Sequence, residues 1–280
     1  MVVTGRANAA KAKITTQKLR GNVSVLLGSG GNIAVLPGPD GKVIVDAGIS
    51  SSRPQITEAL DAISADPIEH LINTHWHWDH TDGNQWMHAA GATIIAQEKT
   101  RVRLSAPQNI ALFNAVFPPL PADARPTQTF TDSHILETNK TSLELSHYQP
   151  AHTDTDILVF FTDADVLHAG DTWFSGAYPF IDYSTGGNID GMIRATQKSL
   201  SVGTTSTIVI PGHGEVGNKD QLAQTLDMLT AIRDKVAALK KQGRSADEAV
   251  AAKPTAQFDE KWGKGFVNPE MFTRLVYQGV

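Results

Sequence analysis

Residues 74–80 read Thr74-His75-Trp76-His77-Trp78-Asp79-His80, directly after the apolar run Ile68–Asn73. Three histidines and one aspartate fall within six positions. In a chain of 280 residues with 10 histidines, so fixed a pattern arises by chance in about one chain in a thousand. On extended backbone, side chains at i and i+2 point the same way, so His75 and His77 can reach one cation together. Asp79 and His80 come where the chain turns and can face a second cation beside the first. Imidazole and carboxylate suit zinc, and also iron or manganese.

The composition narrows what such a cluster can do. The chain has no cysteine, which excludes disulfides, thiolate nucleophiles, iron–sulfur clusters and cysteine-held zinc. Any metal must therefore rest on His, Asp and Glu. A net charge of −5, from 24 Lys+Arg against 29 Asp+Glu, argues against a phosphate-backbone binder. No run of apolar residues is long enough to span a bilayer. The expected partner is thus a small-molecule substrate, with neither nucleic acid nor membrane involved, and the oligomeric state is open. Residues 1–16 carry Arg6, Lys11 and Lys13 but no apolar signal region. A cytoplasmic protein is expected, or a periplasmic or secreted one whose signal was removed.

Three further ligand candidates follow at wide spacing. His152 stands in Gln149-Pro150-Ala151-His152-Thr153-Asp154, Asp171 in His168-Ala169-Gly170-Asp171-Thr172-Trp173, and His213 in Pro211-Gly212-His213-Gly214. Each lies just after or between runs that read as strands, where loops present ligands on a rigid scaffold. Glycine beside a ligand lets the backbone come close to an ion.

The surrounding pattern is strand, loop and helix in alternation. Residues 23–27, 33–36, 43–46, 68–73, 92–96, 142–146, 157–161, 166–169 and 207–210 read as strands. Gly28-Ser29-Gly30-Gly31 lies between two of them; its spacing fails the dinucleotide pattern, so a hairpin turn is expected. Pro54 opens a helix with Ile56, Leu60 and Ile63 on one face, and Asn84 is placed to cap another. Residues 105–130, with Pro118, Pro119, Pro121 and Pro126, read as one long irregular segment. Residues 221–241 form an amphipathic helix stopped by Gly243, Ser245-x-x-Glu248 is a capping box, and Asn268-Pro269 starts a last helix. A single domain over residues 1–280 is expected, with a core over about 22–242 and a helical extension over 243–280.

The series His75-Trp76-His77-Trp78-Asp79-His80, His152, Asp171, His213, in that order, resembles the metallo-β-lactamase-fold hydrolases. The resemblance implies an α/β fold, a four-layer αββα sandwich of two mixed sheets flanked by helices, with its metal site at one edge. It implies two divalent ions: His75, His77 and His152 on the first, Asp79, His80 and His213 on the second, and Asp171 bridging. Zinc is the expected ion, with iron and manganese as alternatives. The implied chemistry is attack by a metal-bridging hydroxide on the carbonyl of a small ester, thioester, lactone or β-lactam, with Asp79 as the catalytic proton shuttle. Asp171 favours the wider hydrolases of the family over its β-lactamases. An iron oxidoreductase or sulfur dioxygenase, and a phosphodiesterase or nuclease, are the alternatives on the same fold. In the oxygen reductases of the family a glutamate stands where this chain has His77.

The substrate side is less marked. Trp76 and Trp78 flank ligands and either line the cleft or pack beneath it. Trp173, Phe174, Tyr178, Phe180 and Tyr183 follow Asp171 and form either an apolar wall for substrate or ordinary core. Residues 105–130 and the aromatics Phe258, Trp262, Phe266 and Phe272 either cover the site or form an outer layer. His168 reads as a structural histidine, and Asp46 as either a support for a ligand or a turn residue.

Overall fold

Alternation with a period of two decides which layer each strand side chain joins. The computed structural model describes residues 2–110, 112 and 114–280. Strands β1 (Thr15–Lys18), β2 (Ser24–Leu27), β3 (Ile33–Leu36), β4 (Lys42–Val45), β5 (Ile68–Ile72) and β6 (Thr93–Gln97) are followed by a small separate hairpin, β7 (Gln108–Ile110) and β8 (Ala115–Phe117). With β9 (Gln128–Phe130), the first six make one sheet in the order β1-β2-β3-β4-β5-β6-β9. The first four strands run antiparallel and the last four run parallel. A second sheet takes β10 (Ser133–Thr138), β11 (Thr141–His147), β12 (Ile157–Phe161), β13 (Val166–His168), β14 (Ile208–Ile210) and β15 (Gly217–Asn218) in sequence order, antiparallel except for the parallel pair β13 and β14.

The two sheets face each other. Val25, Val43, Val45, Ile72 and Ile95 of the first pack against Leu143, Leu145, Val159, Val166 and Ile210 of the second. The residues between them in sequence turn outward. Leu26, Ile44, Leu71 and Ile94 bury against α2 (Arg53–Ile63) through Ile56 and Leu60, and against α4 (Asn84–Ala89) through Trp86 and Met87. Leu158, Leu167 and Val209 bury against α6 (Ile189–Ser201), α7 (Lys219–Lys241) and α10 (Pro269–Gly279). The result is the αββα sandwich; its remaining helices are α1 (Val2–Ala9), α3 (Trp78–Thr81), α5 (Glu98–Leu104), α8 (Ala246–Ala251) and α9 (Asp259–Trp262). Each fully buried Leu, Ile or Val contributes about 1.5–3 kcal/mol relative to leaving it exposed. No helix among the described residues is long and apolar enough to cross a membrane.

Several sequence expectations hold at the ends of elements. The glycine run between β2 and β3 is a hairpin turn, Gly243 ends α7 at φ 78°, and Ser245 and Glu248 form a capping box. Asn268 caps α10 by accepting a hydrogen bond from the Met271 N–H.

Others are corrected. Residues 105–130 are not one irregular stretch, since they hold the β7–β8 hairpin, a 3-10 turn at Ala122–Ala124 and β9. The strands are three residues long and the four prolines lie between them, where no ladder donor is lost. Ala111 and Phe113 lie outside the described residues. Asn84 does not cap α4; Gly83 takes that place, and the Asn84 amide turns inward to exchange hydrogen bonds with Asn73 at 3.0 and 2.8 Å. The edge strands β1 and β10 escape a sequence reading because most of their residues face solvent and carry no apolar run.

Candidate metal centre

Parallel strands place their carboxyl ends on the same edge of a sheet, and that edge carries the cluster. β4 ends at Asp46, β5 leads into His75, β13 into Asp171 and β14 into His213, while His152 lies in the β11–β12 connection. His75 and His77 sit on the segment leaving β5, and His77 precedes a single helical turn, α3 (Trp78–Thr81). That turn swings Asp79 and His80 to the other side. Gly212 is needed here because a Cβ at that position would collide with the Asp171 carboxylate.

The donor atoms converge in two groups. His75, His77, His152 and Asp171 form one, and Asp79, His80 and His213 the other, with the ligand atoms of each group within 4.8 Å of one another. The His77 Nδ1 lies 2.8 Å from His152 Nε2. The Asp171 Oδ2 lies 3.8 Å from His75 Nε2 and 3.5 Å from His152 Nε2. The same oxygen is 3.5 Å from His213 Nε2, and Asp171 Oδ1 is 3.1 Å from His80 Nε2. Asp171 therefore stands between the two groups. Asp79 Oδ2 lies 3.2 Å from His213 Nε2.

His75, His77, His80 and His152 each have a partner on the outer ring nitrogen, which leaves the inward nitrogen for an ion. Asp46 leaves β4 with φ 66°; its Oδ1 accepts from the Thr74 N–H at 2.8 Å, and its Oδ2 from Thr74 Oγ1 at 2.8 Å and His80 Nδ1 at 2.7 Å. Of the two readings of Asp46, the support for a ligand is the one realised. His152 Nδ1 donates to the Phe180 carbonyl at 2.8 Å. The His77 Nε2 donates to Asp182 Oδ2 at 3.2 Å. Thr74 Oγ1 sits 3.0 Å from His75 Nδ1. His75 Nε2, fully buried, has no hydrogen-bond partner among the described residues. An orphaned imidazole nitrogen aimed at three other ligand atoms is costly unless a cation takes its lone pair.

The electrostatics favour ligand-competent forms of His75, His152, Asp79 and Asp171. Burial drives His75 well below the usual histidine range and His152 down to about 4, so both are neutral. Burial works against charge on Asp79, yet His80 and His213 outweigh it and hold the carboxyl down to about 2. Burial likewise opposes ionisation of Asp171, and His213, His80 and His75 overcome it. For His80 and His213 burial disfavours the proton, but the surrounding carboxylates prevail and His213 is raised to about 10. The carboxylates thus favour positive charge at His80 and His213, beside Asp79 and Asp171.

All seven expected ligands are brought together. The other five histidines lie outside both groups, and His168 is satisfied by the Asn32 carbonyl at 3.1 Å and the Gly170 N–H at 3.1 Å. The aromatic candidates divide. Trp78 and Phe174 line a cleft of about 340 Å³ that also takes in His77, Asp79, Asp171 and His213. The Phe174 ring stacks on His213, with centroids 5.2 Å apart. Trp76 and Trp173 are core instead, donating their indole N–H groups to Thr185 and Thr225 at 3.3 and 3.0 Å. Tyr178 is buried against Phe272, and its hydroxyl donates to Asp259 Oδ1 at 2.9 Å. Tyr183 packs near Gly279 at the carboxyl end, away from the cleft.

Sequence reading missed Asp182 entirely. It also left Ile110 and Ala177 unmarked as cleft residues, and did not settle whether Phe266 covers the site. Asp182 carries one local signal, an Asp that caps the turn Tyr183–Thr185 by accepting from the Ser184 N–H at 3.0 Å.

A family model for the metallo-beta-lactamase superfamily matches residues 27–237. The hydroxyacylglutathione hydrolase of Rhodospirillum rubrum is 29% identical over 223 residues, which is 74% of this chain and 78% of that protein. The solved metallo-beta-lactamase from Pontibacter korlensis superposes with a TM-score of 0.63 at 18% identity, covering 78% of this chain and 99% of that one. A double mutant of the sec-alkyl sulfatase PisA1 gives 0.72 at 15% identity, covering 98% of this chain and 51% of the sulfatase, so this chain spans about half the sulfatase's length. At these identities the two structures speak to the fold alone.

Proposed function

The chain belongs to the metallo-beta-lactamase superfamily and is an enzyme of that group with residues able to hold metal ions; we propose that it hydrolyses small esters or thioesters with two zinc ions. His75, His77 and His152 would hold one ion, Asp79, His80 and His213 the other, and Asp171 both. Two such ions supply an acidified water as nucleophile and a Lewis acid for the carbonyl oxygen. The observation that carries the proposal is the position of Asp171, with donor atoms of both groups within 3.1–3.8 Å of its oxygens. The thioester within this class is supported by the name of the Rhodospirillum rubrum relative.

The chain's own residues have separable tasks. Asp79 reaches the cleft, is ionised, and touches His213, which suits it to accept a proton and pass it to a leaving group. Asp46, Asp182 and the Phe180 carbonyl fix the imidazole rings before substrate arrives. Trp78 and Phe174 keep water from the flanks of the reacting carbonyl. No tyrosine lines the cleft among the described residues, so no phenol assists the carbonyl oxygen.

The test is hydrolysis by zinc-loaded protein of four probes: a lactoylglutathione thioester, a lactone, a chromogenic cephalosporin and a phosphodiester. The expected outcome is turnover of a carbonyl substrate that a chelator abolishes and zinc restores. Turnover indifferent to chelator, or of the phosphodiester alone, would overturn the proposal.

A further inference from the structure

The walls of the cleft are unusually one-sided in their chemistry. Besides metal-site residues they comprise Trp78, Ile110, Phe174, Ala177, Phe180 and Phe266, drawn from α3, β7, the segment after Asp171 and the loop between α9 (Asp259–Trp262) and α10. Among the described lining residues there is no Lys or Arg. Two guanidinium groups, those of Arg6 and Arg103, lie in a second cavity that shares Trp78, and both are engaged. Arg6 pairs with Asp82 at 2.5 Å and Arg103 with Asp154 at 2.8 Å. Lys264 is exposed and does not line the cleft. Phe266 stands at the rim, 59% exposed, and Gly265 beside it lies so close to Ala177 that a Cβ there would collide with the Ala177 side chain, which brings that loop to the opening. This rim lies outside residues 27–237, the stretch matched by the family model.

Away from the metal groups, a charged group laid against the Phe174, Phe180 and Phe266 wall would leave water with no Lys or Arg to meet it, at a cost no apolar contact offsets. An apolar acyl group gains from every methylene it buries. The volume of about 340 Å³ falls at the small end of clefts that take organic ligands.

Resting on the hydrolase reading above, we propose that the substrate is an uncharged ester or thioester whose apolar acyl group, medium-chain or aromatic, lies against Phe174, Phe180 and Phe266. The carbonyl carbon then sits over Asp171 and the acyl chain runs toward the Phe266 rim. A bulky charged leaving group such as glutathione is disfavoured.

The experiment measures kcat/KM of the zinc-loaded full chain on p-nitrophenyl acetate, butyrate and hexanoate, with lactoylglutathione alongside. Burial of each methylene raises kcat/KM about fourfold, and the hexanoate ester outruns the glutathione thioester. Phe266→Ala lowers the hexanoate-to-acetate ratio, and Phe174→Leu checks the same ratio from the opposite wall. A flat series, or faster turnover of lactoylglutathione than of any neutral ester, overturns this proposal and leaves the hydrolase reading standing. Silence on every ester and thioester removes the hydrolase reading, and this proposal falls with it.

Discussion

Asp182 Oδ2 accepts a hydrogen bond from His77 Nε2 at 3.2 Å, across 105 positions of sequence. The contact turns the other ring nitrogen toward His152, and so selects which atom of His77 faces an ion. Burial disfavours the Asp182 carboxylate, but His77, Ser184 and Thr185 all donate to it and hold it well below the usual carboxylate range. Asp182→Asn keeps the shape and loses the charge. Metal affinity should fall about 10–100-fold, measured by chelator competition. An unchanged affinity would reduce Asp182 to a turn cap.

Asp46 anchors the other group. Asp46→Ala strands the Thr74 N–H and hydroxyl and the His80 Nδ1, all buried, and places Ala at φ 66°. A loss of about 2–4 kcal/mol is expected in denaturant unfolding. Asp46→Asn tolerates that backbone and retains an acceptor for Thr74. It should cost less, while still weakening the hold on His80. Equal losses for the two variants would show that the backbone conformation is irrelevant.

Metal loading should release protons. With its pKa raised to about 10, His213 is charged at neutral pH in chelated protein, and His80 is raised as well. Affinity for zinc should therefore climb as pH rises from about 7 toward 10, with proton release visible by calorimetry in buffers of different ionisation enthalpy. The sign for stability is opposite. A histidine raised in the folded state stabilises fully below its unfolded pKa, about 6.5, and that contribution is lost as pH climbs through the folded value. Chelated protein should lose stability over that window, and zinc-loaded protein should not show this loss.

Gly31 supports His80 from beneath. A Cβ there would overlap the imidazole ring, and the Gly31 N–H donates to the Asp79 carbonyl at 3.1 Å. Gly31→Ala should displace His80 and cost about 1–3 kcal/mol. Bound zinc per chain, by elemental analysis, should drop. Full occupancy with an unchanged melting temperature would contradict the placement of the ring.

Tyr178 provides a contrast with Phe174. Tyr178→Phe removes hydrogen bonds to Asp259 and the Thr255 carbonyl, which tie the carboxyl-terminal segment to the core. About 1 kcal/mol of stability should go, with kcat/KM unchanged. Phe174→Ala should instead lower kcat/KM, because that ring stacks on His213 inside the cleft. A large kinetic effect of Tyr178→Phe would return that phenol to the substrate site.

The expected ligands were legible because their rule is local. An i, i+2 pair on extended backbone shares a direction whatever surrounds it, as with His75 and His77. A short unbroken apolar run marks a strand such as β12 with no knowledge of its neighbours. Proline and glycine report local dihedrals, as at Gly243, although the prolines of 105–130 concealed three short strands. Asn84 misled because a cap and a buried amide pair draw on the same side chain, and only the distance to Asn73 decides between them.

By itself, then, the sequence marked the seven candidate ligands and most of the central strands as short apolar runs, and excluded cysteine chemistry. The tertiary structure alone decided which carboxylates aim the imidazoles, and that Phe266 reaches the cleft while Tyr178 and Trp173 do not. Those outcomes depend on segments from 28 to more than 100 residues apart meeting across packed layers. The direction of a side chain at the end of a strand follows from the layer it meets, and no periodicity along the chain encodes that.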